Sequence, residues 1–410
     1  MRLLVRPKPY SDESLESYLF RLSQENGFER YSVFSGSIKS WLREQDHEAA
    51  GAFPLELCRV NVFHASRSSG LRVRALRLIE QLTDQRPSCL LQLALMHSAI
   101  TFGREHKAVH RAGVDIPLGF IRTNPIPCCP ECLRESGYIR QHWHYTPYGA
   151  CHLHGGELIF HCPSCGESLN YMMCDSLTHC RCGFDLRTAT TAPANQEALQ
   201  LASLAAGMSM QSNNPLFTTE HHSVRFGALL WFQQWKSRSP EGVGEASGLA
   251  GAMDFFASWP DSFRGELQQR VDLALLKQTK PFNHTAFSEV FGMLIADSRQ
   301  LPMRDLGRNF ILRTLLEYLT DLVVANPKTR VANLGDLLLS ALEATALLST
   351  TVEQVYRLQQ EGLLAMAIRP ASRATLSPHA PAFRLRQVIE VRQSSMQSLH
   401  DAPQTYLPAR

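Results

Sequence analysis

The sequence predicts a mainly α, multi-domain protein in which helix-turn-helix-like domains flank a tandem zinc-finger module. Apolar residues recur at helical spacing near both ends of the chain. Nine of the eleven cysteines lie between Cys128 and Cys182. A length of 410 residues exceeds one ordinary core. We therefore expect four domains: an N-terminal helical, helix-turn-helix-like domain (1–110), a tandem zinc-binding module (111–190), a helical domain (191–325) and a C-terminal helix-turn-helix-like domain with a tail (326–410).

The composition is that of a globular protein, with 44% hydrophobic and 19% charged residues. The net charge of +3 is too small to predict a non-specific nucleic-acid binder. The first residues, "MRLLVRPKPY", lack the apolar core of a secretion signal, and the apolar segment Cys89–Phe102 is too short and too polar for a bilayer span. We therefore expect a soluble, cytoplasmic protein. Clustered cysteines in a reducing compartment indicate metal ligands, whereas the isolated Cys58 and Cys89 are interpreted as core residues.

The N-terminal domain should begin with a helix in "YSDESLESYLFRLSQENGF". Ser11 is the expected cap, Asn26-Gly27 the expected end, and the apolar stripe comprises Leu15, Tyr18, Leu19 and Leu22. The segments "VRALRLIEQLT" and "CLLQLALMHSA" predict two more helices. Residues 120–187 contain many turn residues and little helical periodicity, so we expect metal to supply much of their stability.

The region after residue 193 is predicted to be helical again. Its aromatic residues favour a helical core over a base-stacking platform: Phe226, Trp231, Phe232, Trp235, Phe255 and Trp259. The segment "SRSPEGVGEASG" (237–248) predicts a flexible linker. The tail from residue 371 is expected to be partly extended.

A helix-turn-helix pattern spans Leu337–Leu364. Thr350 and Glu353 fit a capping box that opens the second helix, and Gly362 is expected to end it. Five residues should pack the two helices together: Leu342, Ala346, Val352, Val355 and Leu358. Because Arg357 is the one cation of "TVEQVYRLQQEG", both DNA contact and protein docking stay open for this motif.

The first predicted metal site combines a C-x-x-C pair with a C-x-x-H pair, which together supply the four ligands of a structural zinc ion. The ligands are Cys129, Cys132, Cys151 and His154, closed over the loop 133–150. Cys128 has only Glu131 at the pairing distance, and a carboxylate is a poor companion for thiolates. Cys128 is therefore left without an assigned role.

A second quartet follows directly and predicts a second structural zinc ion. Its ligands are Cys162, Cys165, Cys180 and Cys182, and Cys174 could replace one of them. His152, His161 and His179 are expected to be neighbours of the sites. A catalytic zinc would keep a water in an open position, whereas each quartet here already has four protein ligands. The order of motifs also differs from that of the zinc deaminases, and no phosphate loop or dinucleotide fingerprint is present.

Four segments together resemble the TniQ family: "RPKPYSDESLESYLFRLSQENGF", "IPCCPECLRESGYIRQHW", "CHLHGGELIFHCPSCGESL" and "CRCGFDL". The likeness is close over residues 5–36 and 124–187 and looser beyond 190. The doubled cysteine and the opening "RPKPYSDESLES" most resemble members from type I-F CRISPR-associated, Tn-seven-like transposons. Carried over residue by residue, the family's zinc motif falls on the same eight ligands.

The resemblance implies a non-enzymatic adaptor for RNA-guided DNA transposition. It implies a homodimer bound to a type I-F Cascade complex with its crRNA, near the crRNA-processing endonuclease subunit and the adjacent backbone subunit. It also implies recruitment of the AAA+ regulator TnsC and, through it, of the transposase. DNA is expected nearby. The alternative is a TnsD-like selector that reads a DNA sequence directly. A zinc enzyme is the third possibility, and it requires an open metal site.

Overall fold

The computed structural model describes residues 2–103, 106–209, 213–238, 248–367 and 377–401. Within these ranges the protein is mainly helical, as predicted, with a few short strands. It divides into two compact units, the first formed by residues 1–227 and 249–253 and the second by 228–248 and 254–410. The four domain boundaries stay a prediction. Apart from its ends, the predicted linker 237–248 lies outside the described residues.

The first unit contains the N-terminal helices, a small sheet and the cysteine-rich module. Its elements in chain order are α1 (Leu15–Glu25), α2 (Tyr31–Gln45), α3 (His47–Ala52), α4 (Ser69–Leu82), α5 (Cys89–Leu93), β1 (Met96–His97), β2 (Ala108–Arg111), β3 (Val114–Pro117), α6 (Pro130–Ser136), α7 (Gln196–Ala205), α8 (Pro215–Thr218) and the start of α9 (His222–Ser237).

The second unit is built from longer helices and one strand pair. After the end of α9, its elements are α10 (Ala252–Ala257, whose first two residues belong to the first unit), α11 (Asp261–Leu276), α12 (Phe287–Phe291), α13 (Leu294–Ser298), α14 (Phe310–Ala325), β4 (Leu338–Ser340), α15 (Ala341–Leu348), α16 (Val352–Gln360), β5 (Pro381–Arg384) and α17 (Leu385–Asp401). No helix within the described ranges is long and apolar enough to cross a lipid bilayer.

Helix α1 confirms the predicted apolar stripe and the predicted end, but not the predicted cap. All four stripe residues are buried, and the helix stops at Asn26 before Gly27, which has a φ of +78°. The cap is Ser14, whose side chain accepts a hydrogen bond from the backbone N–H of Ser17. Ser11 is too early because the segment before Ser14 pairs with the cysteine-rich module.

The N-terminal helices α2, α3 and α4 pack against one another, with α3 in contact with both neighbours. The segment "VRALRLIEQLT" lies in α4, as predicted. The segment "CLLQLALMHSA" is helical only over α5, because its continuation forms β1. Strand β1 pairs with β2, and β2 with β3, in an antiparallel sheet in which Val109 lies opposite Ile116.

The aromatic side chains of α9, α10 and α11 form the core of the second unit. Trp231 and Trp235 stack with ring centroids 5.7 Å apart, and Trp259 stacks on Phe263 at 5.1 Å. Trp231 is completely buried, and its indole N–H donates to Ser298. The predicted helical core is therefore confirmed for the tryptophans of this region.

The helix-turn-helix pattern corresponds to α15 and α16, and Gly362 lies directly after the second helix with a φ of +79°. The predicted capping box is wrong by one residue, because Thr351 is the cap and accepts from Gln354 N. Of the five residues predicted to pack the two helices together, Ala346 and Val355 are buried, and the others are half-buried.

The tail is also more regular than predicted. Within its described part, Pro381–Arg384 forms β5 against β4, and the chain is helical from Leu385. The apolar residues Leu385, Val388 and Ile389 are buried and form the apolar stripe of α17. The turn-rich residues before this stripe are the reason why the sequence favoured an extended tail. Residues 371–376 and 402–410 of the predicted tail lie outside the described part of the chain.

Candidate metal centre

The first predicted quartet is placed by a short helix and a tight turn. Cys129 caps α6, Pro130 occupies its first position and Cys132 lies in its first turn. Cys151 and His154 belong to a turn closed by backbone hydrogen bonds from Gly155 N to Cys151 O and from Cys151 N to Gly156 O, both 2.8 Å. Gly155 has a φ of +72°, a conformation that favours glycine.

The four ligand atoms of this quartet converge on one point. The Sγ atoms of Cys132 and Cys151 are 3.6 Å apart, and His154 Nδ1 lies 3.6, 3.3 and 3.4 Å from the Sγ atoms of Cys129, Cys132 and Cys151. A metal–sulfur bond of about 2.3 Å places tetrahedral ligands about 3.7 Å apart. The measured separations are close to that value, so this quartet could hold one metal ion.

The imidazole of His154 is oriented by carboxylates outside the quartet. Its Nδ1 faces the three thiols, while Nε2 lies 3.0 Å from Glu135 Oε1 and 3.9 Å from Glu131 Oε2. Both carboxylates come from α6. A carboxylate partner on the distal nitrogen is the usual way in which a metal-binding histidine is held in one tautomer.

The second quartet is built from two turns, each closed by a glycine with positive φ. Gly166 N donates to Cys162 O, and Gly183 N donates to Cys180 O. The Sγ atoms of Cys162 and Cys182 are 3.7 Å apart, as are those of Cys165 and Cys180. The structure therefore brings together a second set of ligand atoms within 4.8 Å of one another, which could hold a second metal ion.

The remaining cysteines lie outside both quartets. Cys174 is not among the four clustered thiols, and its pKa is raised by burial. Cys128 is buried, and its backbone pairs with Ile159 in a small bridge. Cys58 and Cys89 are half-buried, so the prediction of core positions for them is wrong. Cys58, Cys128 and Cys174 line one cavity of about 610 Å³.

Three nearby histidines are not part of the quartets. His152 Nδ1 lies 2.7 Å from the Tyr148 hydroxyl, and His179 contacts Ser176 and Thr178 through its Nδ1. His161 lies in a backbone bridge with Ser168. These positions agree with the prediction that they are neighbours of the sites, although His161 and His179 lie on the surface side of the module.

The module is joined to α1 by a buried polar seam that the sequence analysis missed. Ser14 N donates to Ile139 O at 3.0 Å, and Ile139 N donates to Ser17 Oγ at 2.9 Å. The Tyr171 hydroxyl lies 2.9 Å from Ser14 Oγ and 3.0 Å from His144 Nε2. Ser14 and Ser17 of "DESLES" therefore serve both the helix and its contact with the module.

Two charged residues extend this seam towards the surface. Asp12 forms an ion pair with Arg140 and accepts a hydrogen bond from the Tyr138 hydroxyl at 2.7 Å. Tyr138 stacks on Tyr10 with ring centroids 4.1 Å apart. Directly before the cap of α1, the carboxylate of Glu13 accepts from Ser17 Oγ and from Arg21. The sequence signal for this contact is the cluster of polar residues Asp12, Glu13 and Ser14 directly before the apolar stripe of α1.

Burial shifts the pKa of two titratable groups near the seam towards their neutral forms. Desolvation raises the pKa of Glu16 to about 7 and lowers the pKa of His144 to about 3. Glu16 Oε1 accepts from Asn61 Nδ2, while Oε2 has no hydrogen-bond partner among the described residues. The segment 140–143 contains further buried polar atoms without partners there, on Arg140, Gln141, His142 and Trp143. An interior with this many uncompensated polar atoms is a place where ordered water is expected.

Comparison with known proteins assigns the N-terminal part of this unit. Residues 4–158 match the TniQ family model. The match spans the N-terminal helices, the first quartet and the seam except for Tyr171, and it ends before the second quartet. No curated protein matches the chain. Residues 4–158 are therefore similar to the TniQ family, and this match indicates a transposition-associated protein.

Proposed function

We propose that the protein is a non-enzymatic adaptor for RNA-guided DNA transposition. In this role it bridges a type I-F Cascade complex with its crRNA to the AAA+ regulator TnsC, and through TnsC to the transposase. The TniQ match over residues 4–158 is the observation that carries this proposal. Strand cutting and joining then belong to the partners, and this chain acts as a homodimer held to Cascade.

The two quartets suit a structural role for the metal, and we propose zinc as the ion in both. Each quartet supplies four protein ligands at tetrahedral spacing, in Cys₃His and Cys₄ sets that zinc commonly occupies in structural sites. The metal would connect turns in a module with little regular structure. What the protein itself contributes is the seam, which joins the metal-bound turns to α1.

The proposed Cascade contacts involve the crRNA-processing endonuclease subunit and the adjacent backbone subunit. The test uses the purified full chain with a reconstituted type I-F Cascade–crRNA complex and with TnsC, each measured separately by co-migration in size-exclusion chromatography. The proposal expects association with Cascade and little site preference on naked DNA. No association with Cascade in the presence of crRNA would overturn it.

The second candidate is a TnsD-like DNA-binding target selector, favoured by the helix-turn-helix formed by α15 and α16. The exposed side of α16 carries Arg357 with several glutamines, which can contact bases as well as protein groups. Tight binding to one DNA sequence without Cascade, lost when Arg357 is replaced by alanine, would favour this candidate over the adaptor.

A further inference from the structure

Helix α11 presents a second, outward face in addition to the face that packs in the core. Its buried residues Phe263, Leu267 and Val271 follow one another at intervals of four. A different set lines an open groove at intervals of three and four: Glu266, Gln269, Arg270, Leu273, Ala274 and Lys277. The second face of this helix therefore lies open to solvent at the groove and is separate from the face that packs in the core.

The groove beside this second face has a volume of about 420 Å³. Its opposite wall is formed by the segment 278–285 and by α12, and Phe282 contributes a buried apolar floor. Leu273 on the helical wall is 47% exposed, and Leu276, one turn further, is 83% exposed. Leu273 therefore adds apolar surface to the groove, and Leu276 lies beside the groove without lining it; the described residues leave both leucines exposed.

The rim of the groove carries more cations than carboxylates. Its two acidic residues are Glu266 and Glu289, and its basic residues are Lys236, Arg270, Lys277 and Lys280. The lining of the groove therefore has a net charge of +2. Lys236 pairs with Glu266, and Lys280 pairs with Glu289. Arg270 is held over the ring of Trp235, with its guanidinium carbon 3.9 Å from the centroid.

We propose that this groove is a docking site for an acidic amphipathic helix of a partner protein. The apolar floor and the exposed leucines would receive the apolar face of the helix, at the i, i+3, i+4 and i+7 spacing of helix-in-groove recognition. The excess of cations would attract carboxylates on its flanks and increase the rate of association. This inference is independent of the proposed bridging between Cascade and TnsC.

The apolar content favours a protein over a nucleic acid as the occupant. Nucleic-acid phosphates are bound by cations and N–H groups, and exposed leucines add nothing to such contacts. Two of the four cations are already paired with carboxylates, and Arg270 lies over an indole ring. The residues that are left to make new contacts are Leu273 and Lys277 on the groove wall and Leu276 beside it, a combination of apolar anchors with one cation.

The test uses the full chain and a fluorescent 16-residue helical peptide, with leucines at i, i+3, i+4 and i+7 and glutamates elsewhere. Binding is measured by fluorescence anisotropy. We expect Leu273→Glu to weaken binding about tenfold, because it removes an apolar contact and adds a repelling charge. Lys277→Glu should weaken binding several-fold, with a smaller effect at high salt.

Val331→Glu is the matched control, since Val331 is 77% exposed in the same unit and lies outside the groove. Val331→Glu should leave binding of the acidic peptide unchanged. A peptide with lysines in place of its glutamates should fail to bind the wild-type chain. Circular dichroism checks that every variant keeps its fold. The proposal is overturned if the acidic peptide does not bind, or if Leu273→Glu leaves its affinity unchanged. The groove is instead a nucleic-acid site if the Leu273 and Lys277 variants lose affinity for a 20-base-pair DNA duplex but keep their affinity for the peptide.

Discussion

At the scale of single residues, the first quartet includes Cys129 but not the adjacent Cys128. Cys128 and Cys129 are both buried, yet only the Cys129 thiol lies with Cys132, Cys151 and His154. Sequence spacing already favoured Cys129, because Cys128 has a carboxylate instead of a thiol at the pairing distance. In the structure the backbone of Cys128 pairs with Ile159, and Cys128 lines the cavity that it shares with Cys58 and Cys174 and is not part of the quartet.

Replacing Cys129 by alanine should remove one ligand and release the metal from the first site. We expect a large loss of soluble protein and a fall in bound metal from two ions to one per chain, measured by mass spectrometry of the eluted metal. The matched variant Cys128→Ala should keep both ions and most of the soluble yield. Equal damage from the two variants would contradict the assignment of the first site.

Glu16 predicts a pH dependence of stability. Its pKa is raised from 4.5 to about 7 by burial, so the folded state holds this proton more tightly than the unfolded state. The free energy of unfolding should therefore decrease as the pH rises from about 4.5 to about 7, and the full penalty, about 3 kcal/mol, applies above that range.

The variant Glu16→Gln should remove this dependence and be more stable than the wild type at pH 8. Denaturant titrations between pH 5 and pH 8 measure the difference between the two proteins, which cancels the titration of other groups. The exposed carboxylate Glu29, changed to glutamine, is the control and should leave the profile as it is in the wild type. A constant difference between wild type and Glu16→Gln across this range would show that Glu16 does not titrate there.

At the scale of elements, the seam between α1 and the cysteine-rich module explains why the N-terminal segment has its particular sequence. Ser14 both caps α1 and reaches Tyr171, so one residue stabilises a helix end and a contact with the cysteine-rich module. Apolar periodicity located the helix correctly. It could not identify the cap, because the choice between Ser11 and Ser14 depends on residues of the module that lie more than a hundred positions away.

Removing the Tyr171 hydroxyl tests the seam. Tyr171→Phe leaves Ser14 Oγ and His144 Nε2 without this buried partner, so we expect it to cost about 1–3 kcal/mol of unfolding free energy. The matched variant is Tyr31→Phe, because the buried Tyr31 hydroxyl has no hydrogen-bond partner among the described residues. Tyr31→Phe should be neutral or slightly stabilising in the same denaturant titration, and a similar loss in both variants would argue against the seam.

The corrected cap of α16 makes a similar prediction for the helix-turn-helix. Thr351→Ala removes the side-chain oxygen that accepts from Gln354 N, and it should cost about 1 kcal/mol. Thr350→Ala, one residue earlier, should cost much less. Thermal unfolding can be followed by tryptophan fluorescence, because three of the five tryptophans, Trp231, Trp235 and Trp259, lie in the second unit. If Thr350→Ala proves the more damaging change, the capping box predicted from sequence is the correct one.

At the scale of the whole molecule, we expect metal bound at the two quartets and the apolar cores to stabilise different parts of the chain. The module between residues 120 and 187 has short elements and many turns, whereas the second unit has a large aromatic core. Zinc-finger peptides gain about 10–16 kcal/mol from their metal at neutral pH, which exceeds the stability of most domains. Metal should therefore decide whether the first unit stays folded.

Chelation with EDTA should selectively unfold the module and loosen α1, which is joined to it by the seam. Hydrogen exchange measured by mass spectrometry should show loss of protection over residues 120–187 and 15–25. Protection of α14 (Phe310–Ala325) should persist, since its core contains no ligand of either quartet. Uniform loss of protection in both units, or none in the module, would contradict this division.

The sequence by itself determined the helical class, the apolar stripe of α1, the two helices of the helix-turn-helix and the grouping of eight ligands. These features depend on spacing along the chain, and spacing is visible without a fold. Only the tertiary structure decided the cap at Ser14, the strand in place of the end of the third predicted helix, the helix of the tail and the seam through Tyr171. Each of these features depends on a partner that is distant in sequence. Folding brings such a partner within hydrogen-bonding distance of a backbone group or a buried hydroxyl.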